Sequence, residues 1–123
     1  MSKLKVLITG AAGQVGSHVA ELMLARGDTV LGLDDFTTGR PEHLPPKSAH
    51  YQFREGSIAD ADFVNTAFAE FQPDVVVHTA ASYKDPEDWH SDALTNVVGG
   101  INVIKASRAV SIKRFIYFQT ALC

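Results

Sequence analysis

With 123 residues, 46% hydrophobic and 20% charged, the chain has room for one globular domain and not two. A net charge of −3 gives no electrostatic basis for nucleic acid or an anionic membrane as the main partner. The single cysteine, Cys123, excludes an internal disulfide, and no Cys/His cluster suggests a metal. The apolar run at residues 6–8 is too short for a signal-peptide core or a membrane span, so a cytoplasmic setting is expected.

Apolar runs alternate with helical patterns along the chain, the signature of a parallel α/β sheet. The first strand is read at Lys5–Thr9, unalternating, as in a strand covered on both faces. A helix follows over Gln14–Ala25, with Val15, Val19, Leu22 and Met23 at helical spacing and Gly27 as its C-terminal cap. The second strand covers residues 29–33. Residues 36–50, with Gly39, Pro41, Pro45 and Pro46, form a loop holding at most one short helical turn.

Tyr51–Glu55 is the third strand, and residues 60–71 a helix packing through Phe63, Val64, Ala67, Phe68 and Phe71. Pro73 and Asp74 restart the chain into a fourth strand, Val75–His78. A long helix spans roughly residues 90–110, with Leu94, Val97, Val98, Ile101 and Ile104 giving a wide apolar face, and the fifth strand covers residues 114–118. Right-handed crossovers arrange the five parallel strands as 3-2-1-4-5, a doubly wound sheet lacking its sixth strand.

Gly10, Gly13 and Gly16 form a G-x-x-G-x-x-G turn between the first strand and the first helix. Gly10 permits the sharp turn, Gly13 lets backbone N–H groups approach a pyrophosphate at the helix N-terminus, and Gly16 permits close helix–sheet packing. Asp34, 18 residues beyond Gly16, ends the second strand, where its carboxylate can accept hydrogen bonds from an adenosine ribose. The same charge repels a 2′-phosphate and favours NAD over NADP, a preference that nearby Arg40 can soften.

The Gly10–Gly16 turn is followed, in order, by Leu33-Asp-Asp-Phe-Thr-Thr-Gly-Arg40, Glu55-Gly-Ser-Ile58, His78-Thr-Ala-Ala81 and Thr95-Asn-Val-Val-Gly-Gly100. At this spacing the whole chain resembles the N-terminal part of extended short-chain dehydrogenases/reductases, especially nucleotide-sugar epimerases and dehydratases. The resemblance implies a Rossmann-like NAD-binding domain over residues 1–123. It puts cofactor contacts at Gly10, Gly13, Gln14, Val15 and Gly16, and at Asp34, Asp35, Phe36, Thr37, Gly39 and Arg40. Ser57 and Ile58 would border the adenine, Ser57 standing where the family usually has an aspartate. Thr79, Ala80, Ala81 and Ser82 would line the pyrophosphate and nicotinamide ribose, and Asn96 would order the active-site backbone and water. Tyr83 and Lys84 would either reach phosphate or substrate or lie in a solvated loop. His78 reads as a structural strand-end histidine rather than a catalytic base.

The resemblance also makes Thr120 the hydroxyl that bonds the reacting sugar oxygen. The family's acid/base is the tyrosine of a Tyr-x-x-x-Lys motif. None occurs here: Tyr51, Tyr83 and Tyr117 are followed four residues on by Glu55, Glu87 and Ala121. The chain is therefore expected to be a fragment, lacking the C-terminal substrate-binding part, that binds better than it catalyses. Sugar 4,6-dehydratases follow the threonine with Asp-Glu, where this chain has Ala121 and Leu122. A 4-epimerase, acting by transient hydride transfer to NAD, needs no such pair and is the favoured activity. A dehydratase or reductase of similar substrates, or a non-catalytic dinucleotide-binding module, are the alternatives. The resemblance implies as partners a nucleotide sugar, a UDP-sugar by the group it resembles, and a second copy packed through the 90–110 helix into a homodimer. That apolar helix face and the uncovered fifth strand predict self-association or marginal stability.

Overall fold

The computed structural model describes residues 3–36, 39–79 and 94–118, with side chains in the last stretch from Val97 onward. The apolar runs form β1 (Lys5–Thr9), β2 (Thr29–Asp34), β3 (Tyr51–Glu55), β4 (Val75–His78) and β5 (Arg114–Tyr117). All pair in parallel, in the order β3-β2-β1-β4-β5. This is the expected order, with β2 one residue longer and β5 one shorter. In register, Val6 lies beside Val30 and Val75, and Ile8 beside Gly32 and Val77.

Strand side chains alternate between the two faces, so the inner strands β1, β2 and β4 each feed two cores. Leu7, Leu31, Leu33 and Val76 pack with Val64, Ala67, Phe68 and Phe71 of α2 (Ala61–Phe71) and with Val103 and Ala106 of α3 (Gly100–Ala109). Val6, Ile8, Val30 and Val77 pack on the opposite face beneath α1 (Gln14–Ala25). Asp60 caps α2, its carboxylate accepting from the N–H groups of Asp62 and Phe63 at 3.1 and 3.2 Å. Gln72, in the left-handed region, ends the helix. Asp74 then fastens three strands at one end of the sheet. Its carboxylate accepts from Lys5 N–H (2.9 Å), its N–H donates to the Lys5 carbonyl (2.8 Å), and its carbonyl accepts from Lys113 N–H (2.7 Å).

Two helices differ from their sequence patterns. In α1 the fully buried residues are Gly16, Ser17 and Ala20, flanked by the partly buried Val19, Met23 and Leu24, while Val15 and Leu22 are exposed. Small residues bring the helix close to the sheet and push its bulkier neighbours aside. The long helix begins, among the described residues, with a π-helical turn at Leu94–Gly99 that runs directly into α3. Its sheet-facing residues are Val103, Ala106 and Ser107, whereas Val97, Val98, Ile101 and Ile104 face outward. At the β5 edge Ile116, Tyr117 and Phe118 are exposed. Among the described residues no helix is long and apolar enough to cross a membrane.

Candidate dinucleotide site

The site lies where β1, β2 and β4 end. Gly10 adopts φ +70°, which admits the reversal from strand to helix. The N–H groups of Gly10 and Ala11 both donate to the Leu33 carbonyl at 2.9 and 3.1 Å, pinning the turn to β2. A side chain at position 16 has no room, since an added Cβ would lie 2.2 Å from the Gly10 carbonyl oxygen. The first turn of α1 has no side-chain cap and no acidic residue, so its positive end is open to an anion between Gln14 and Gly16.

Asp34 closes one side. Its Oδ2 accepts from Ala12 N–H at 2.9 Å and its Oδ1 from Phe36 N–H at 2.8 Å. A carboxylate has about four lone-pair positions, so both oxygens keep capacity for ribose hydroxyls. Phe36, at φ +61°, turns its ring onto Phe53 at 5.3 Å, and Asp35 is exposed. The loop beyond folds back on the glycine turn, where the Ala12 carbonyl accepts from Arg40 N–H (3.0 Å) and from His43 Nδ1 (2.8 Å).

Ser57 and Ile58 follow β3. The Ser57 hydroxyl accepts from Ala59 N–H at 3.1 Å, while the Ile58 side chain is buried in the core beneath α2 and α3. The Asn102 amide donates to the Ile58 carbonyl at 2.8 Å, fixing this loop from α3. At the end of β4, Thr79 donates its N–H to the Thr9 hydroxyl (3.1 Å) and its own hydroxyl to the Thr9 carbonyl (2.7 Å). His78 is buried and hydrogen-bonded through Nδ1 to the Thr9 hydroxyl at 2.6 Å. Burial pushes its pKa down to about 4, so the ring is neutral at pH 7. It stacks on Tyr117 at 5.4 Å and serves as a packed strand-end group.

The structure thus brings Gly10, Gly13, Gln14, Val15, Gly16, Asp34, Gly39, Arg40 and Thr79 around the strand ends. Ile58 presents backbone rather than side chain. Thr37, Ala80, Ala81, Ser82, Tyr83, Lys84 and Thr120 lie outside the described residues, as does the side chain of Asn96. His43 and Asn102 carry no local sequence signal as site residues, because their partners stand 31 and 44 positions away.

A family model described as the NAD dependent epimerase/dehydratase family matches residues 6–123. The UDP-glucose 4-epimerase of Mycolicibacterium smegmatis is 36% identical over 119 residues, which cover 93% of this chain and 38% of that protein. The crystal structure of the Bordetella bronchiseptica enzyme WbmH in complex with NAD+ matches with a TM-score of 0.94 at 58% identity, over 99% of this chain and 41% of that one. The B. bronchiseptica enzyme WbmG, in complex with NAD and UDP, matches with a TM-score of 0.94 at 50% identity, over 99% of this chain and 39% of that one. The chain therefore spans about two fifths of the length of these relatives. Motif order, sheet topology and these likenesses agree: the chain belongs to the NAD-dependent epimerase/dehydratase family.

Proposed function

We propose that this chain is the NAD-binding part of a nucleotide-sugar 4-epimerase whose whole protein takes a UDP-sugar. The observation that carries this reading is the docking of Asp34 on the Ala12 N–H, which puts a carboxylate acceptor beside an uncapped helix N-terminus. That pair suits the two ends of an adenosine diphosphate: backbone N–H groups for the pyrophosphate, a carboxylate for the ribose hydroxyls. The fit is steric as well, since Gly16 leaves the turn no Cβ to displace. NAD, when bound, supplies a reversible hydride acceptor. The chain's own part is to hold the dinucleotide, to exclude a 2′-phosphate through the Asp34 charge, and to offer the Thr120 hydroxyl to the sugar. Ala121 and Leu122 cannot transfer protons, which favours epimerisation over water elimination. The NAD and UDP held by the Bordetella enzymes and the activity named for the M. smegmatis relative support the same assignment.

This reading includes a cytoplasmic homodimer formed through the helix of residues 90–110. Val97, Ile101 and Ile104 are at least half exposed, an apolar stripe suited to a second copy. Ile101→Glu with Ile104→Glu should shift sedimentation toward monomer; unchanged sedimentation would reject the face. For the cofactor, NAD is titrated by calorimetry into the protein and into Asp34→Ala. Saturable binding that weakens at least about tenfold in the variant is expected, with NADP binding more weakly than NAD. Absence of binding to the unsubstituted protein would reject the reading.

A further inference from the structure

The Ala12 peptide is held on both sides. Its N–H donates to Asp34, and its carbonyl, with two lone pairs, receives both the Arg40 N–H and the His43 side chain. A carbonyl can only accept, so the His43 proton sits on Nδ1. The loop lies flush against the turn: a Cβ at Gly39 would fall 2.7 Å from the Ala12 Cβ and 2.9 Å from its carbonyl oxygen. Leu44, directly after this turn, packs partly buried against the core beneath α1, but the turn itself lies at the surface. Arg40, Pro41, Glu42 and His43 are all exposed, and His43 ends a single 3-10 turn, Pro41–His43. Among the described residues, the Arg40 N–H and the His43 ring make the hydrogen bonds that tie this turn to the glycine motif.

We propose that His43 is a positioning residue for the dinucleotide, latching the loop after β2 onto the glycine turn and so pre-forming the ribose end of the site. The proposal rests on the NAD-binding reading above. A loop ordered before binding removes an entropic cost from association. Loss of the latch returns that cost as weaker affinity while leaving the two buried cores untouched.

The test compares NAD titrations of the unsubstituted protein, His43→Leu and His43→Asn, with hydrogen exchange at the Arg40 amide read in parallel. Leucine removes the donor; asparagine offers an amide N–H near the Nδ1 position. Expected are about three- to tenfold weaker NAD binding and faster Arg40 exchange in His43→Leu, the factor carried by one hydrogen bond of ordinary net strength. His43→Asn should recover most of both. Equal affinity for His43→Leu and the unsubstituted protein, or His43→Asn binding as weakly as His43→Leu, would overturn the latch while leaving the cofactor assignment standing. An unsubstituted protein that binds no NAD would overturn both.

Discussion

The Thr9 hydroxyl at the end of β1 and the His78 imidazole at the end of β4 lie 2.6 Å apart, both buried, 69 residues from each other in the chain. The contact joins two neighbouring strands where the candidate site opens. It also places a titratable ring where charge is unwelcome.

That ring makes stability depend on pH. Folding lowers the His78 pKa from 6.5 to about 4, by burial. The unfolded chain therefore binds the proton more readily. Stability from the neutral ring is fully present above pH 6.5 and is lost as the pH falls from there toward 4. The loss should approach about 3 kcal/mol. Urea unfolding of the protein and His78→Asn at about pH 7 and about pH 4.5 measures it. The variant starts less stable but should lose less on acidification; equal losses in both would remove His78 as the cause.

Gly16→Ala should damage the turn and the cofactor site together, because its Cβ would meet the Gly10 carbonyl oxygen at 2.2 Å, and backbone must move to relieve the clash. NAD affinity is expected to fall at least about tenfold, roughly 1.4 kcal/mol, with a lower melting temperature. Calorimetry beside a thermal melt checks both. Native-like affinity would mean that the turn yields without disturbing the site.

Tyr51 is buried, and its hydroxyl has no hydrogen-bond partner among the described residues. Burial first, and the Asp34 charge second, push its pKa up to about 12. Tyr51→Phe removes an unsatisfied polar group, so stability should stay level or rise by up to about 1 kcal/mol. A clear loss on urea unfolding would reveal a partner such as a buried water.

Core and flank should respond differently to truncation. Phe68 is buried between α2 and the sheet, and Phe68→Ala should cost about 3–5 kcal/mol. Leu22, 63% exposed, should cost under about 0.5 kcal/mol as Leu22→Ala. Similar losses in urea midpoints would mean that Leu22 is covered in solution.

The contrast between those two residues marks where the sequence could be read and where it could not. β1, β2 and β4 are legible because each is an apolar run next to glycine, proline or aspartate, while β3 (Tyr51–Glu55) and β5 (Arg114–Tyr117) carry a weaker, mixed pattern. Helical spacing put Val15 and Leu22 with Val19 and Met23, but cannot show that Gly16 and Ala20 pave the inner face. In the long helix, spacing singled out Val97, Ile101 and Ile104, while Val103 and Ala106 take the sheet. Two apolar stripes share that helix, and periodicity alone does not say which is inward. Of the site, the glycines and Asp34 were visible as local motif. His43 and Asn102 act only through backbone carbonyls brought close by the finished fold.

The sheet order also constrains how the chain reaches that fold. Of the five strands, β1 is made first yet ends in the middle of the sheet. Its β2 partner follows within one crossover, so half of the strand is satisfied early. The other edge, Val6–Thr9, must wait for Val75–His78. Until then the nascent protein carries an apolar strand with an open edge, the kind of surface that pairs with a neighbouring chain. Bonds from Asp74 to Lys5, and from Thr79 to Thr9, close that edge at both ends when β4 arrives. The central strand is thus the first of the five to be made and keeps one edge open until residues 75–79 arrive, so its pairing is long-range in sequence.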